Sequence, residues 1–236
     1  MQRRDFLRLG VTLGLAGAGI GELSRLAHAG RRQTSEHLLA TLAAEALPDP
    51  APAQPVIPRE AWGALPPNHD APNEHGFASA DNPEGWYVYP GDLRSAYHTG
   101  VLHHVGAYYV NDRNTLLEVQ RFQRAVRGWA NVAYHFLVGR QGGIYAGREL
   151  NVRGTHVAGH NAGSAGVCLL GDLHWQFPTE AQLRATRGLI RWLAGEFTLI
   201  TLAGHGDLNP ETVCPGANLR PFLPLLAAQS GLILTA

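Results

Sequence analysis

The chain has 236 residues, enough for one large domain or two small ones. Its 19 basic residues, every one an Arg, balance 19 acidic ones, and charged residues make up only 16% of the sequence against roughly 25% in ordinary soluble domains. With no basic excess, 45% apolar residues and two Cys, the composition argues against an electrostatic nucleic-acid binder, a mostly disordered chain and a disulfide framework.

The N-terminus reads as an address. Arg3-Arg4-Asp5-Phe6-Leu7 resembles the twin-arginine export signal, a charge-free run follows from Leu9 to Gly21, and Ala27-His28-Ala29 is a small-residue cleavage site. As a helix the apolar run spans about 20 Å, short of the ~30 Å hydrocarbon core, so no stable transmembrane anchor is expected. Residues 1–29 are therefore assigned to a twin-arginine signal peptide. Four Arg and two acidic residues leave with it, so residues 30–236 carry 15 Arg, 17 Asp plus Glu and a net charge of −2.

Residues 30–55 are expected to form a helical segment and a linker. Leu38, Leu39, Leu42 and Ala46 share one helical stripe over 34–46, and Pro48, Pro50, Pro52, Pro55 and Pro58 then impose an extended tether. The main domain is placed at 56–236. Within it, residues 65–95 hold many Pro and Gly with little periodicity and are set apart as an insertion loop, with Trp86–Tyr89 as a short strand in it. The sequence leaves open whether this loop borders a functional groove or merely lies on the surface.

From residue 99 the pattern sharpens. Strands are predicted at 99–105, 133–138, 144–146, 166–170 and 198–202, with Gln141-Gly142-Gly143 as a hairpin turn. Helices are predicted at 115–127, opened by a Thr115…Glu118 capping box, at 180–195, opened by Thr179…Gln182, and at 219–228. Intermixed strands and helices imply a mixed α/β fold, a central mixed sheet flanked by helices.

Strand alternation sends His103 and His104 to opposite faces, so only one of them can enter a given site. Far downstream, His205 leaves the end of a strand, and Cys214 follows in the stiff Cys214-Pro215-Gly216 turn. One strand His, His205 and Cys214 are three ligands of zinc type, and three protein ligands leave an open position. Taken singly, each His is more often a hydrogen-bonded structural residue. The two Cys allow the other use of a Cys168–Cys214 disulfide after export.

Five ordered landmarks carry a family resemblance: IPREAWGA (57–64), VLHHVG (101–106), NVAYHFLVGRQGGIYAGR (131–148), GTHVAGHNAGSAGVCLLGD (154–172) and GHGDLNPETVCPG (204–216). Together they resemble the zinc-dependent N-acetylmuramoyl-L-alanine amidases of the peptidoglycan recognition protein and bacteriophage lysozyme-type superfamily. The resemblance implies that fold, with the metal at one edge of a substrate groove. It also implies one Zn2+ per chain on His103, His205 and Cys214, with Tyr134 and Thr212 as catalytic residues. His156 and Asn161 fall in a segment resembling the substrate groove, which makes them the substrate-binding candidates. Members that carry Lys two residues before the third ligand are not the pattern here, because that position is Thr212 and the chain has no Lys. The His205-to-Cys214 spacing is also one residue longer than the family's shortest.

The activity so implied is hydrolysis of the amide between N-acetylmuramic acid and L-alanine, on peptidoglycan or muropeptides, by an exported monomer in the periplasm or cell wall. The alternatives are a non-catalytic peptidoglycan-binding protein and a purely structural zinc site, for which a fourth ligand is missing. Asp207 is expected to hydrogen-bond near the metal loop, and Trp62 to be a buried anchor.

Overall fold

The computed structural model describes residues 19–46 and 55–235. The Arg3–Leu7 signal and the prolines from Pro48 to Pro52 lie outside the described residues. Residues up to His37 form one unit and residues from Leu38 onward a second. In the first, the chain is helical from Gly19, so Ala27-His28-Ala29 lies within α1 (Gly19–Ala44), which starts well before the predicted residue 34. No helix among the described residues is long and apolar enough to cross a membrane.

The second unit is built on a six-stranded sheet. Its strands are β1 (Thr99–His104), β2 (Phe136–Val138), β3 (Ile144–Ala146), β4 (Ser164–Leu169), β5 (Thr201–Gly204) and β6 (Ile233–Leu234). Their order across the sheet is β3-β2-β4-β1-β5-β6, with β2 and β3 antiparallel and every other pair parallel. Parallel strands buried on both faces need apolar residues on both, and β4 is buried along its full length.

Period-2 alternation divides the core. Leu102, Val138, Val167 and Leu169 face α4 (Glu180–Glu196), where Leu183, Leu189, Ile190 and Leu193 join Leu38 and Leu42 from the end of α1. Arg187 fastens that end, donating to the Leu42 carbonyl at 2.7 Å and pairing with Glu45 at 2.9 Å. The opposite face meets α2 (Arg59–Trp62) and α3 (Asp112–Ala125), with Leu137, Cys168 and Leu170 packed on Trp62, Leu116 and Val119. Trp62 is the expected anchor; its indole N–H donates to the Ala146 carbonyl at 2.9 Å.

The Thr179–Gln182 capping box forms as predicted. That at Thr115 does not. α3 begins three residues earlier, with Asn111 as its cap accepting from the Asn114 N–H at 2.8 Å, and the Thr115 hydroxyl donates back to the Asn111 carbonyl. An Asx cap next to Asp112 outcompetes a threonine one turn on. The predicted terminal helix is a short 3-10 turn leading into α6 (Leu223–Gln229), and β6 extends the sheet beyond it.

Trp86–Tyr89 is not a strand but touches its neighbours through single bridges, Trp86 with Phe77 and Val88 with Val152. The 65–95 segment instead packs as a small satellite, with Ala71 and Trp86 against Ala130 and Val152.

Candidate active site

β1 lies between β4 and β5, and its alternation turns His103 to the α3 side and His104 away. His103 is buried opposite Cys168 in register, whereas His104 Nδ1 accepts from the Leu173 N–H on the other side at 3.0 Å. Leu102 pairs with Gly204, the last residue of β5. The next residue, His205, opens the single turn α5 (His205–Leu208), so its ring arrives beside that of His103, centroids 4.7 Å apart. Asp207 braces this corner as expected, accepting from the Gly204 N–H at 2.7 Å and pairing with Arg220.

Cys214 completes the group. Its Sγ lies 3.6 Å from His103 Nδ1 and accepts from the His104 N–H at 3.4 Å. The loop can come this close because Gly216 sits at φ +97°, where a Cβ would lie 2.5 Å from the Leu173 backbone. One nitrogen of each histidine and the sulfur all lie within 4.8 Å of one another. Both thiols are free and buried, so the disulfide alternative is not realised.

The donor set suits zinc. A tetrahedral ion with bonds of roughly 2.3 Å to sulfur and about 2.0 Å to nitrogen holds such ligands about 3.5 Å apart, and the observed S···N distance is 3.6 Å. Burial, reinforced by neighbouring imidazoles, holds His103 well below the ordinary histidine pKa, and burial lowers His205 too. Both rings are therefore neutral and keep a lone pair for a metal. Burial pushes the Cys214 thiol up to about 12, against the opposing pull of the His104 N–H and Arg220. A bound cation would reverse that preference and release the proton.

Two of the trio, His205 and Cys214, border a groove of about 440 Å³, with His103 buried beside them. Tyr134, Thr212, His205 and Cys214 line it together with Arg121, Phe122 and Gln123 of α3 and Arg127 just beyond that helix. The Tyr134 ring stands 5.0 Å from that of His103, and its hydroxyl interacts with Cys168 and Gln123. Burial raises its pKa well above 10, so it is a neutral phenol that can donate but not act as a base at neutral pH. Thr212 Oγ1 accepts from the Cys214 N–H at 3.2 Å, which leaves its own proton to donate.

His156 and Asn161 are placed differently from Tyr134 and Thr212. His156 borders the groove but is buried, its Nδ1 3.0 Å from His103 Nε2. Asn161 is not among the groove residues; its Oδ1 accepts from the backbone N–H groups of His156 and Val157 at 2.7 and 2.8 Å.

The α3 part of the lining was not among the sequence expectations. Glu118, Arg121 and Phe122 face the groove from α3, and their i, i+3, i+4 spacing was the available signal. The 65–95 segment contributes no lining residue but holds the wall from behind. Asn73 binds the Gly128 and Arg127 carbonyls, at 2.9 Å through its N–H and 2.8 Å through its side chain. The Ala130 N–H donates to Glu74 at 2.9 Å.

Residues 94–217 match the family Amidase_2, described as N-acetylmuramoyl-L-alanine amidase. The chain belongs to that family. Among curated proteins, it is 32% identical to peptidoglycan-recognition protein SC2 of Drosophila melanogaster over 50% of this chain and 68% of that protein. It is 37% identical to the endolysin of Klebsiella phage KP32 over 40% of this chain and 65% of that one, so about a third of the endolysin lies outside the match. Of solved structures, Drosophila PGRP-LB superposes with a TM-score of 0.58 at 24% identity, over 76% of this chain and 96% of that one, which bears out the predicted fold. The N-acetylmuramoyl-L-alanine amidase LysC of Clostridium intestinale gives 0.53 at 25% identity, over 66% and 97%.

Proposed function

We propose that this Amidase_2 protein is an exported zinc amidase that cuts the bond between N-acetylmuramic acid and L-alanine in peptidoglycan. The observation that carries the reading is the convergence of His103, His205 and Cys214 donor atoms within 4.8 Å at the wall of an open groove. Zinc held there would keep one corner free, lower the pKa of a water to about 7 and polarise the scissile carbonyl.

The protein's own groups supply the rest. The Thr212 hydroxyl, anchored as an acceptor by the Cys214 N–H, donates to the oxygen that gains negative charge during attack. Such a donor is typically worth roughly 3 kcal/mol of barrier. Tyr134, held as a phenol, donates to the same region or orients the attacking water. The groove wall of α3 confines the stem peptide beside the donors.

Export fits the state of the cysteines. Arg3-Arg4 heads a signal of the type that carries folded cargo, and both thiols are buried in the fold. Folding before export keeps Cys214 reduced and free to ligate.

The main competitor is a binding protein without activity, favoured by likeness to recognition proteins, one of which, PGRP-LE, is solved in complex with monomeric diaminopimelic acid-type peptidoglycan. The full donor set favours catalysis. The test is to measure bound zinc in the purified protein and then incubate it with peptidoglycan. Zinc at one per chain with released stem peptides supports the amidase; binding without release supports the competitor.

A further inference from the structure

His103 presents Nδ1 to the Cys214 sulfur and Nε2 to a second buried ring, that of His156. We infer that His156 is a positioning residue: it fixes the tautomer and plane of His103 so that Nδ1, and not Nε2, is the metal-facing atom. The inference rests on the zinc-amidase reading and replaces the expected substrate contact of His156.

The polarity follows from the two partners of His156 Nε2. The Ser164 carbonyl oxygen, 3.3 Å away, can only accept, and the Ser164 hydroxyl, 3.4 Å away, gives its proton to the His160 carbonyl at 2.5 Å and so is also left to accept. His156 must then carry its proton on Nε2, and a neutral ring with Nε2–H has a lone pair on Nδ1. That lone pair faces His103 Nε2 at 3.0 Å, so His103 also carries its proton on Nε2. Its Nδ1 is left as a lone pair 3.6 Å from Cys214 Sγ. A backbone carbonyl thus sets the tautomer of a proposed metal ligand through one intervening imidazole. Both His156 nitrogens are occupied in this chain, which leaves neither for a substrate.

The ring is also held mechanically. A Cβ at Gly154 would lie 2.4 Å from His156 Cδ2, and one at Gly166 would lie 2.7 Å from the same atom, so the slot exists only between two glycines. Asn161 fixes the His156 backbone from the third side. Partners of this kind beyond the ligands commonly set metal affinity by roughly 10- to 100-fold.

Two measurements test this. In long-range proton–nitrogen NMR spectra of 15N-labelled wild-type protein, metal-free and zinc-loaded, both rings should appear as Nε2–H. A proton on Nδ1 of either ring, or metal on His103 Nε2, overturns the inference whatever the protein's activity. In the second, zinc affinity is measured by competition with a chromogenic chelator, and kcat and KM at saturating zinc. His156→Leu should bind zinc roughly 10- to 100-fold more weakly with KM unchanged. His156→Asn, whose Oδ1 can replace Nδ1 as acceptor, should recover most of that loss. Wild-type affinity in His156→Leu, no rescue by Asn, or a raised KM with unaltered zinc affinity would each reject the role. If wild type loads zinc in the expected tautomers yet releases no stem peptide, the amidase reading fails and this inference stands.

Discussion

Glu74 and Arg148 form a buried, two-armed ion pair across 74 positions of sequence, joining the 65–95 segment to the end of the β2–β3 hairpin. The pair is fully furnished with partners. Glu74 also accepts from the Ala130 N–H and the Thr155 hydroxyl, while Arg148 donates to the Val132 and Arg153 carbonyls and stacks 4.4 Å above Trp86. Removing one partner strands the other charge. Glu74→Ala is expected to cost about 3–5 kcal/mol by urea denaturation, and adding Arg148→Met should restore part of the loss.

His103→Ala and Cys214→Ala should each abolish both zinc binding and release of stem peptides. Tyr134→Phe and Thr212→Val should keep zinc, since neither is a ligand, but lower kcat by roughly 10²-fold as a single oxyanion donor would. Metal analysis and turnover on the same preparations check the distinction. Full activity with full zinc in His103→Ala would refute the ligand assignment.

Acid should weaken the fold through His135. Its ring is buried, accepting from the Gly166 N–H on Nδ1 and donating to the Val152 carbonyl from Nε2, and burial brings its pKa down to about 4. The unfolded chain protonates first, near 6.5, so stability is complete above that pH and falls as pH drops from 6.5 to about 4. The change amounts to about 3 kcal/mol. Urea titrations of metal-free protein at pH 7, 5.5 and 4 should show this slope added to that of the other buried imidazoles, His103 and His156, and His135→Gln should lessen the total by the His135 share without abolishing it.

The Asn111 cap can be separated from the predicted Thr115–Glu118 box. Asn111→Ala should lower stability by about 1 kcal/mol, whereas Glu118→Ala, which removes only an exposed pairing with Arg121, should change it by less than about 0.5 kcal/mol. Thermal melts of the two variants are sufficient.

The elements that carry the donors were legible because their signals are local. Alternation marked β1 and assigned His103 and His104 to opposite faces, and glycine and proline punctuation marked the Cys214 turn. The strand predicted from Ala133 begins only at Phe136, because the chain bends at Ala133 and His135; their backbone groups still bond to Thr155, Gly147 and Gly166, but not as a regular ladder, and apolarity alone does not reveal that. Two-residue β6 has too little pattern to read. His156 sits in a glycine-rich stretch without periodicity, so its direction became known only with the β1–β4 register. Glu74 looked like one more loop acid, since its partner is distant in the chain.

His103 and Cys214 touch in the folded protein although 111 positions separate them, and His205 enters only at the end of β5. A chain halted before β5 holds just one member of the trio. Ion capture at the proposed site would thus be a late event in biogenesis, open only to molecules whose sheet has closed, and zinc content would then serve as an assay for correct assembly as well as for chemical competence.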